Sequence, residues 1–151
     1  MNTIEEPTIA ISLTVKNTAE ALDFYTKVFG AKELFRMPTP DGGIGHAEFT
    51  IGNFHMYISD ESPEWSAYAM EKGQSASFLL SVATDSCDKS FDHAVKEGAE
   101  ALMQPQDQFW GKRTSMIKDP FGYRWTFREH LEDVSPEEMS ERAQKIFGSA
   151  E

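Results

Sequence analysis

Apolar and polar residues alternate from Ile9 to Val15. Ile9, Ile11, Leu13 and Val15 lie on one side, and Ala10, Ser12 and Thr14 on the other, which predicts a half-buried strand. The period then lengthens, predicting a helix from Ala19 to Phe29 that Asn17 or Thr18 can cap and that Gly30 can end in a left-handed conformation. Alternation returns from His46 to Ile51, with Ala47, Phe49 and Ile51 apolar against His46, Glu48 and Thr50. Gly52-Asn53 reads as a two-residue hairpin turn. Beyond it Phe54, Met56 and Ile58 alternate with His55, Tyr57 and Ser59. Asp60 to Gly73 reads as a loop, with Pro63 and a short amphipathic piece around Trp65 to Met70.

The second half repeats the first. Leu13, Val15, Phe24 and Val28 match Leu80, Val82, Phe91 and Val95 at one offset, and Gly30-Ala31 matches Gly98-Ala99 after a one-residue slip. Each half thus reads strand, turn, helix, Gly-Ala, strand, then further strand-like runs. Phe78, Leu80 and Val82 alternate with Ser77, Leu79 and Ser81. A helix is expected from Cys87 to Glu97, and a strand from Thr114 to Lys118. Asp119-Pro-Phe-Gly122 has turn chemistry, after which Trp125 and Phe127 alternate with Arg124, Thr126 and Arg128. Ser135-Pro-Glu-Glu138 is a capping box that should open a C-terminal helix. Five strands therefore present an apolar face and a polar face. The polar faces of a duplicated sheet can line a groove, and function is expected there.

Composition narrows the partners. The chain has 151 residues, with 14 Lys+Arg against 25 Asp+Glu and a net charge of −11. A field of this sign disfavours nucleic acid and anionic membrane surfaces. No apolar run approaches the roughly 18–20 residues of a transmembrane helix. The start, MNTIEEPT, lacks the marks of a signal peptide. The single cysteine, Cys87, excludes an intrachain disulfide and fits a reducing compartment. A cytoplasmic protein is expected.

Several runs carry a family resemblance: Leu13-Thr-Val-Lys-Asn17, Ala21-Leu-Asp-Phe-Tyr25, Phe29-Gly30, the hairpin, and Asp119-Pro-Phe-Gly-Tyr123. The chain resembles the vicinal oxygen chelate superfamily, which contains glyoxalase I, extradiol dioxygenases and bleomycin-resistance proteins. His46-Ala-Glu-Phe49, Ser59-Asp-Glu61, Phe109-Trp-Gly111, Trp125 and Glu132-Asp-Val-Ser-Pro-Glu-Glu138 make it look closest to the PhnB-like branch. The resemblance implies an α+β fold: two tandem βαβββ modules forming a curved mixed sheet around a groove, with a C-terminal helix, in a homodimer. On this reading residues 1–151 form one domain. Module one covers about 7–60, module two about 75–130, and the helix about 135–147.

Metal-dependent members of that superfamily place His or Glu at four groove positions. Spacing puts these on Ala10, Tyr57, Ser77 and Thr126, none of which is a good ligand for a divalent ion. No metal and no cofactor are therefore expected.

The remaining candidates carry two readings each. With a two-residue turn, Thr50 faces His55, Glu48 faces Tyr57 and His46 faces Ser59, so Glu48 and His55 are diagonal neighbours. They can form an acid/base pair or a relocated metal site, or simply a hydrogen-bonded network in a wet groove. Arg124 and Arg128 flank Thr126 and can fork a carboxylate or phosphate, or pair with local acids such as Glu48 or Glu129. Trp110 can stack on a planar ligand or pack in a dimer interface. His93, in a helix, and His130, after the last strand, read as surface residues. The expected ligand-binding set is His46, Glu48, His55, Tyr57, Trp110, Arg124, Thr126 and Arg128. The expected function is metal-independent binding of a small organic molecule. The alternative is a lyase or isomerase of the glyoxalase type, working by acid/base or relocated metal chemistry.

Overall fold

Helix α1 (Thr18–Phe29) begins where Asn17 takes an extended conformation and its side chain accepts the Glu20 amide at 3.1 Å. It stops at Gly30, whose φ of 66° suits a residue without Cβ. Between these signals Ala21, Leu22, Phe24 and Tyr25 are buried on one face, against β1 (Ile11–Val15), β2 (Lys32–Pro38), β3 (Ile44–Ile51) and β4 (Phe54–Asp60). The computed structural model describes residues 4–148. The chain divides into two compact units, Met1–Ser75 and Ala76–Glu151.

In the first unit the strand order is β1-β4-β3-β2, a mixed sheet with β1 parallel to β4 and the other pairs antiparallel. Its apolar face is fully buried at Leu13, Ala47, Phe49, Met56 and Ile58. Tyr25 stacks on Phe49 with centroids 5.7 Å apart, and burying a side chain of that size contributes about 1.5–3 kcal/mol. Asp60, at the end of β4, ties the unit together. Its Oδ1 accepts the Thr18 amide at 2.8 Å, at the start of α1, and its Oδ2 accepts the Ile44 amide at 2.9 Å, at the start of β3.

The second unit repeats the plan. Strands β5 (Leu79–Ala83), β6 (Glu100–Asp107), β7 (Lys112–Lys118) and β8 (Arg124–His130) form a mixed sheet of order β5-β8-β7-β6, with β5 parallel to β8. Helix α2 (Cys87–Lys96) is capped by the Ser86 side chain and covers the sheet with Phe91 and Ala94. Here Glu129 does part of what Asp60 does, its carboxylate accepting the Cys87 amide at 3.3 Å. The Cys87 thiol is buried and donates to Ser115 Oγ at 3.2 Å. Burial pushes this thiol up, against the opposing effect of the Ser115 hydroxyl, so it is a packed, protonated group. The C-terminal helix α3 (Pro136–Phe147) starts at Ser135, whose hydroxyl accepts the Glu138 amide at 3.1 Å. The Glu138 carboxylate does not close the capping box; it binds Arg142 at 2.7 Å.

The tandem βαβββ plan and the C-terminal helix are as the sequence implies. Two details differ. The first strand begins at Ile11, and Ile9 is 82% exposed, because residues 4–10 pair with no strand among the described residues. His130 lies within β8 rather than after it, since its backbone still pairs with Lys112. The strands after the Gly-Ala pairs, β2 and β6, show no clean alternation because both are largely exposed.

Candidate functional site

The two-residue turn sets the hairpin register of β3 and β4 as Thr50↔His55 and Glu48↔Tyr57. That register brings Glu48 within reach of two imidazoles. His55 Nε2 lies 2.7 Å from Glu48 Oε2, and His46 Nε2 lies 3.2 Å from Glu48 Oε1. An ionised carboxylate only accepts, so each ring donates from Nε2 and Glu48 holds one histidine on each oxygen. The Glu48 and His55 side chains are only 14% and 11% exposed. Burial alone raises the Glu48 carboxyl, but the hydrogen bonds and charges of His46 and His55 outweigh it and hold the group below the usual carboxylate range. Tyr57 packs edge-on against both rings, with centroids 5.1 Å from His46 and 5.6 Å from His55. Burial, then the charges of Glu48 and Glu6, raise its phenol, so it stays a neutral hydrogen-bonding group.

A cavity of about 490 Å³ opens beside His55. Thr50, Asn53 and Leu34 line it, and residues 4–8 close it from the chain start. This contribution of the N-terminal arm has no signature in the sequence, because Glu5, Glu6 and Pro7 read only as a polar tail.

In the second unit, Arg124, Thr126 and Arg128 share the polar side of β8. Arg124 Nε and Thr126 Oγ1 are buried without a hydrogen-bond partner among the described residues. Neither Arg124 nor Arg128 has an ion pair among the described residues, whereas Arg36, Arg113 and Arg142 are all paired. The local acid weighed for them, Glu129, is turned to the start of α2. No hydrogen bond or ring contact shown among the described residues ties Trp110 to Arg124, Thr126 or Arg128. Trp110 sits in the β6–β7 connection, edge-on to Phe109 at 4.9 Å, and Phe109 in turn contacts Phe147. A second cavity, of about 500 Å³, lies by Arg128 and is lined also by Lys112 and His130. Sequence reasoning placed His130 on the surface and did not single out Lys112.

The family model of the Glyoxalase/Bleomycin resistance protein/Dioxygenase superfamily matches residues 8–127. The chain belongs to this superfamily. An uncharacterised protein of Mycobacterium bovis is 33% identical over 138 residues, covering 89% of this chain and 90% of its own length. The fold is shared with a glyoxalase/bleomycin resistance protein/dioxygenase from Nocardioides. That structure is 24% identical, with a TM-score of 0.65 over 89% of this chain and 90% of the other. It is also shared with a PhnB protein from Bacillus cereus, 18% identical with a TM-score of 0.63 over 82% and 99% of the two chains.

The superfamily's metal positions can be tested on the residues present. Ala10 offers a methyl group, Tyr57 a protonated phenol, and Ser77 and Thr126 hydroxyls. Hydroxyls and methyl groups are not the imidazole, carboxylate or thiolate that such ions take from a protein. These residues do not fit the superfamily's metal. Among the described residues no three His, Cys, Asp or Glu side chains group to hold an ion, and the His46 and His55 nitrogens are aimed at Glu48 itself. Among the described residues, no helix is long and apolar enough to cross a membrane.

Proposed function

We propose that this protein binds a small organic molecule without a resident metal. The observation that carries this reading is the semi-buried Glu48 carboxylate clamped by His46 and His55, of which His55 lines a cavity of about 490 Å³. Cavities of roughly 300–1,000 Å³ with a few fixed polar groups suit small ligands. On this reading His46, Glu48, His55 and Tyr57 contact ligand from the first unit. In the second unit, taken by itself, Arg124, Thr126, Arg128 and Trp110 are the proposed ligand-contacting residues. Residues 1–151 act as one domain in a cytoplasmic homodimer. The outer strands of the two sheets support the dimer, since open sheet edges call for cover.

A second reading, a lyase or isomerase working by acid/base chemistry, is favoured by the 2.7 Å contact of His55 with Glu48. Glu48 fixes the ring with Nε2–H toward itself, which leaves Nδ1 as an acceptor for a proton from a bound substrate. In this arrangement Glu48 orients and His55 moves the proton.

Metal content tests the first reading. Tag-free protein purified without chelator is expected to carry far less than one divalent ion per chain by elemental mass spectrometry. Adding nickel, zinc, manganese or iron(II) should leave its melting temperature unchanged. About one ion per chain overturns metal independence.

Glu48→Gln tests the site. It is expected to abolish binding of small organic ligands found by thermal-shift screening, while the melting temperature of the free protein at neutral pH moves by no more than about 2–4 °C. Strong loss of stability with binding intact would make the cluster structural. The pH dependence has a definite sign. A carboxyl held below its ordinary value of 4.5 stabilises the fold above that value and loses this contribution as pH falls through its folded value. The stability gap between wild type and Glu48→Gln should therefore shrink below pH 4.5 in chemical denaturation.

A further inference from the structure

We propose that the second unit carries an oxyanion-binding pocket, for a carboxylate or phosphate group, whose donors are Lys112 and Arg128, with His130 holding Lys112 in place. This goes beyond the reading above, because it stands whether or not the Glu48 cluster binds anything. Register places the three side chains together. Lys112 pairs directly with His130 across β7 and β8, and Arg128 lies two residues before His130 on the same face, about 7 Å along the strand. They bound a cavity of about 500 Å³ with Ala83, Thr84 and Asp85.

The hydrogen-bond inventory shows which donors remain. Lys112 Nζ donates to His130 Nδ1 at 2.6 Å, which leaves two of its three N–H groups. That contact fixes His130 with its other nitrogen as donor, 3.1 Å from the Asp133 carboxylate. Thr84 Oγ1 is engaged with Ser90 and Ser86. Arg128 is exposed, and its side chain has no partner among the described residues.

The chain has 25 acidic residues to 14 basic, so an arginine meets a carboxylate easily, and Arg36, Arg113 and Arg142 each do. Arg128 is left open at the mouth of a cavity that already holds a second cation. Of the charged residues lining the cavity, Lys112 and Arg128 are cationic and Asp85 is anionic, while the nearby Asp133 carboxylate is engaged by His130. The −11 of the whole chain does not reverse this sign, since charges beyond about 8 Å are largely screened at physiological salt. A guanidinium fork and an ammonium together match the geometry of an oxyanion.

The test is a titration of the full-length protein with inorganic phosphate and, separately, with acetate, followed in amide proton–nitrogen spectra at constant ionic strength against chloride. The expected result is saturable shifts at the amides of Thr84, Arg128 and His130. Arg128→Gln, a surface change that should leave the spectrum folded, is expected to weaken binding about ten-fold or more. Lys112→Gln should weaken it also. Tighter phosphate than acetate assigns the site to phosphate groups, and the reverse assigns it to carboxylates. Shifts that do not saturate, that chloride reproduces, or that survive Arg128→Gln overturn the proposal.

Discussion

Asp119→Ala is expected to cost about 3–5 kcal/mol of stability, the largest effect of any single polar substitution here. Asp119 is only 3% exposed. Its Oδ1 accepts the amides of Phe121 and Tyr123 at 2.9 and 3.0 Å, and its Oδ2 accepts Trp125 Nε1 at 2.9 Å. Its own amide donates to the Tyr123 carbonyl at 2.8 Å. One carboxylate therefore closes the turn between β7 and β8 and satisfies the indole of Trp125, among the largest side chains in the buried core. Alanine leaves three donors without an acceptor; hydrogen bonds to a charged group contribute about 1.5–3 kcal/mol each, and the amide of the half-exposed Phe121 recovers its share from water, so the net loss is that of about two such bonds. In a chain of this size each kcal/mol moves the melting temperature by about 2–4 °C, so a fall of about 6–20 °C is expected by calorimetry. Asp119→Asn separates the two roles. Its carbonyl keeps the turn, but its amide nitrogen faces another donor at Trp125, so about half the loss is expected. If Asp119→Ala melts within 2 °C or so of wild type, the turn does not depend on this network.

Gly111→Ala is the second large effect. Gly111 has a φ of +82°, and an added Cβ would lie 2.3 Å from the Glu132 carbonyl oxygen and 2.9 Å from Val134 Cγ2. The first of these is backbone and cannot swing aside. The Gly111 carbonyl also accepts the amides of Leu131 and Glu132, so the close approach is held on both sides. A left-handed non-glycine residue costs about 1–3 kcal/mol and overpacking about 1–3 kcal/mol more. We expect a total near 3–4 kcal/mol, read as a shifted denaturation midpoint. The loss should concentrate where Phe109, Glu132 and Arg142 meet, since Arg142 ties the Phe109 carbonyl to the Glu132 carboxylate there at 3.0 and 2.6 Å. Hydrogen exchange at the amides around Leu131 should rise first. A variant with an unshifted midpoint would mean that the segment after β8 moves away without cost.

How far the sequence reached can be traced residue by residue. The hairpin register was legible because a two-residue turn leaves one alignment of its strands, and that alignment made Glu48 and His55 diagonal neighbours. The caps Asn17 and Ser135 follow from the same kind of short-range chemistry, whereas the Ser86 cap was not singled out, because it stands two positions later than the repeat with Asn17 would put it. Trp125 and Phe127 were legible as core from alternation alone, and both are 2% exposed. Periodicity failed at β2 and β6, because a strand exposed on both sides has no face to advertise.

The candidate site was legible only in part. Alternation names His46, Glu48 and His55 as neighbours on one face, but not that a single carboxylate holds both rings. That depends on the orientation of both imidazoles, each of which packs against Tyr57. Lys112 and His130 are 18 residues apart, and only the pairing of β7 with β8 puts them in contact.

The sequence by itself determined the duplicated α+β plan, the caps, the turns, the hairpin register and the absence of good ligands at Ala10, Tyr57, Ser77 and Thr126. All of these depend on residues close along the chain or on a repeat within it. Only the tertiary structure decided which acids the arginines meet, and that Arg128 meets none among the described residues. It alone showed that the N-terminal arm walls the cavity at His55. The physical reason is range. Local chemistry acts over a few residues, whereas charge pairing and cavity walls depend on where distant segments come to rest.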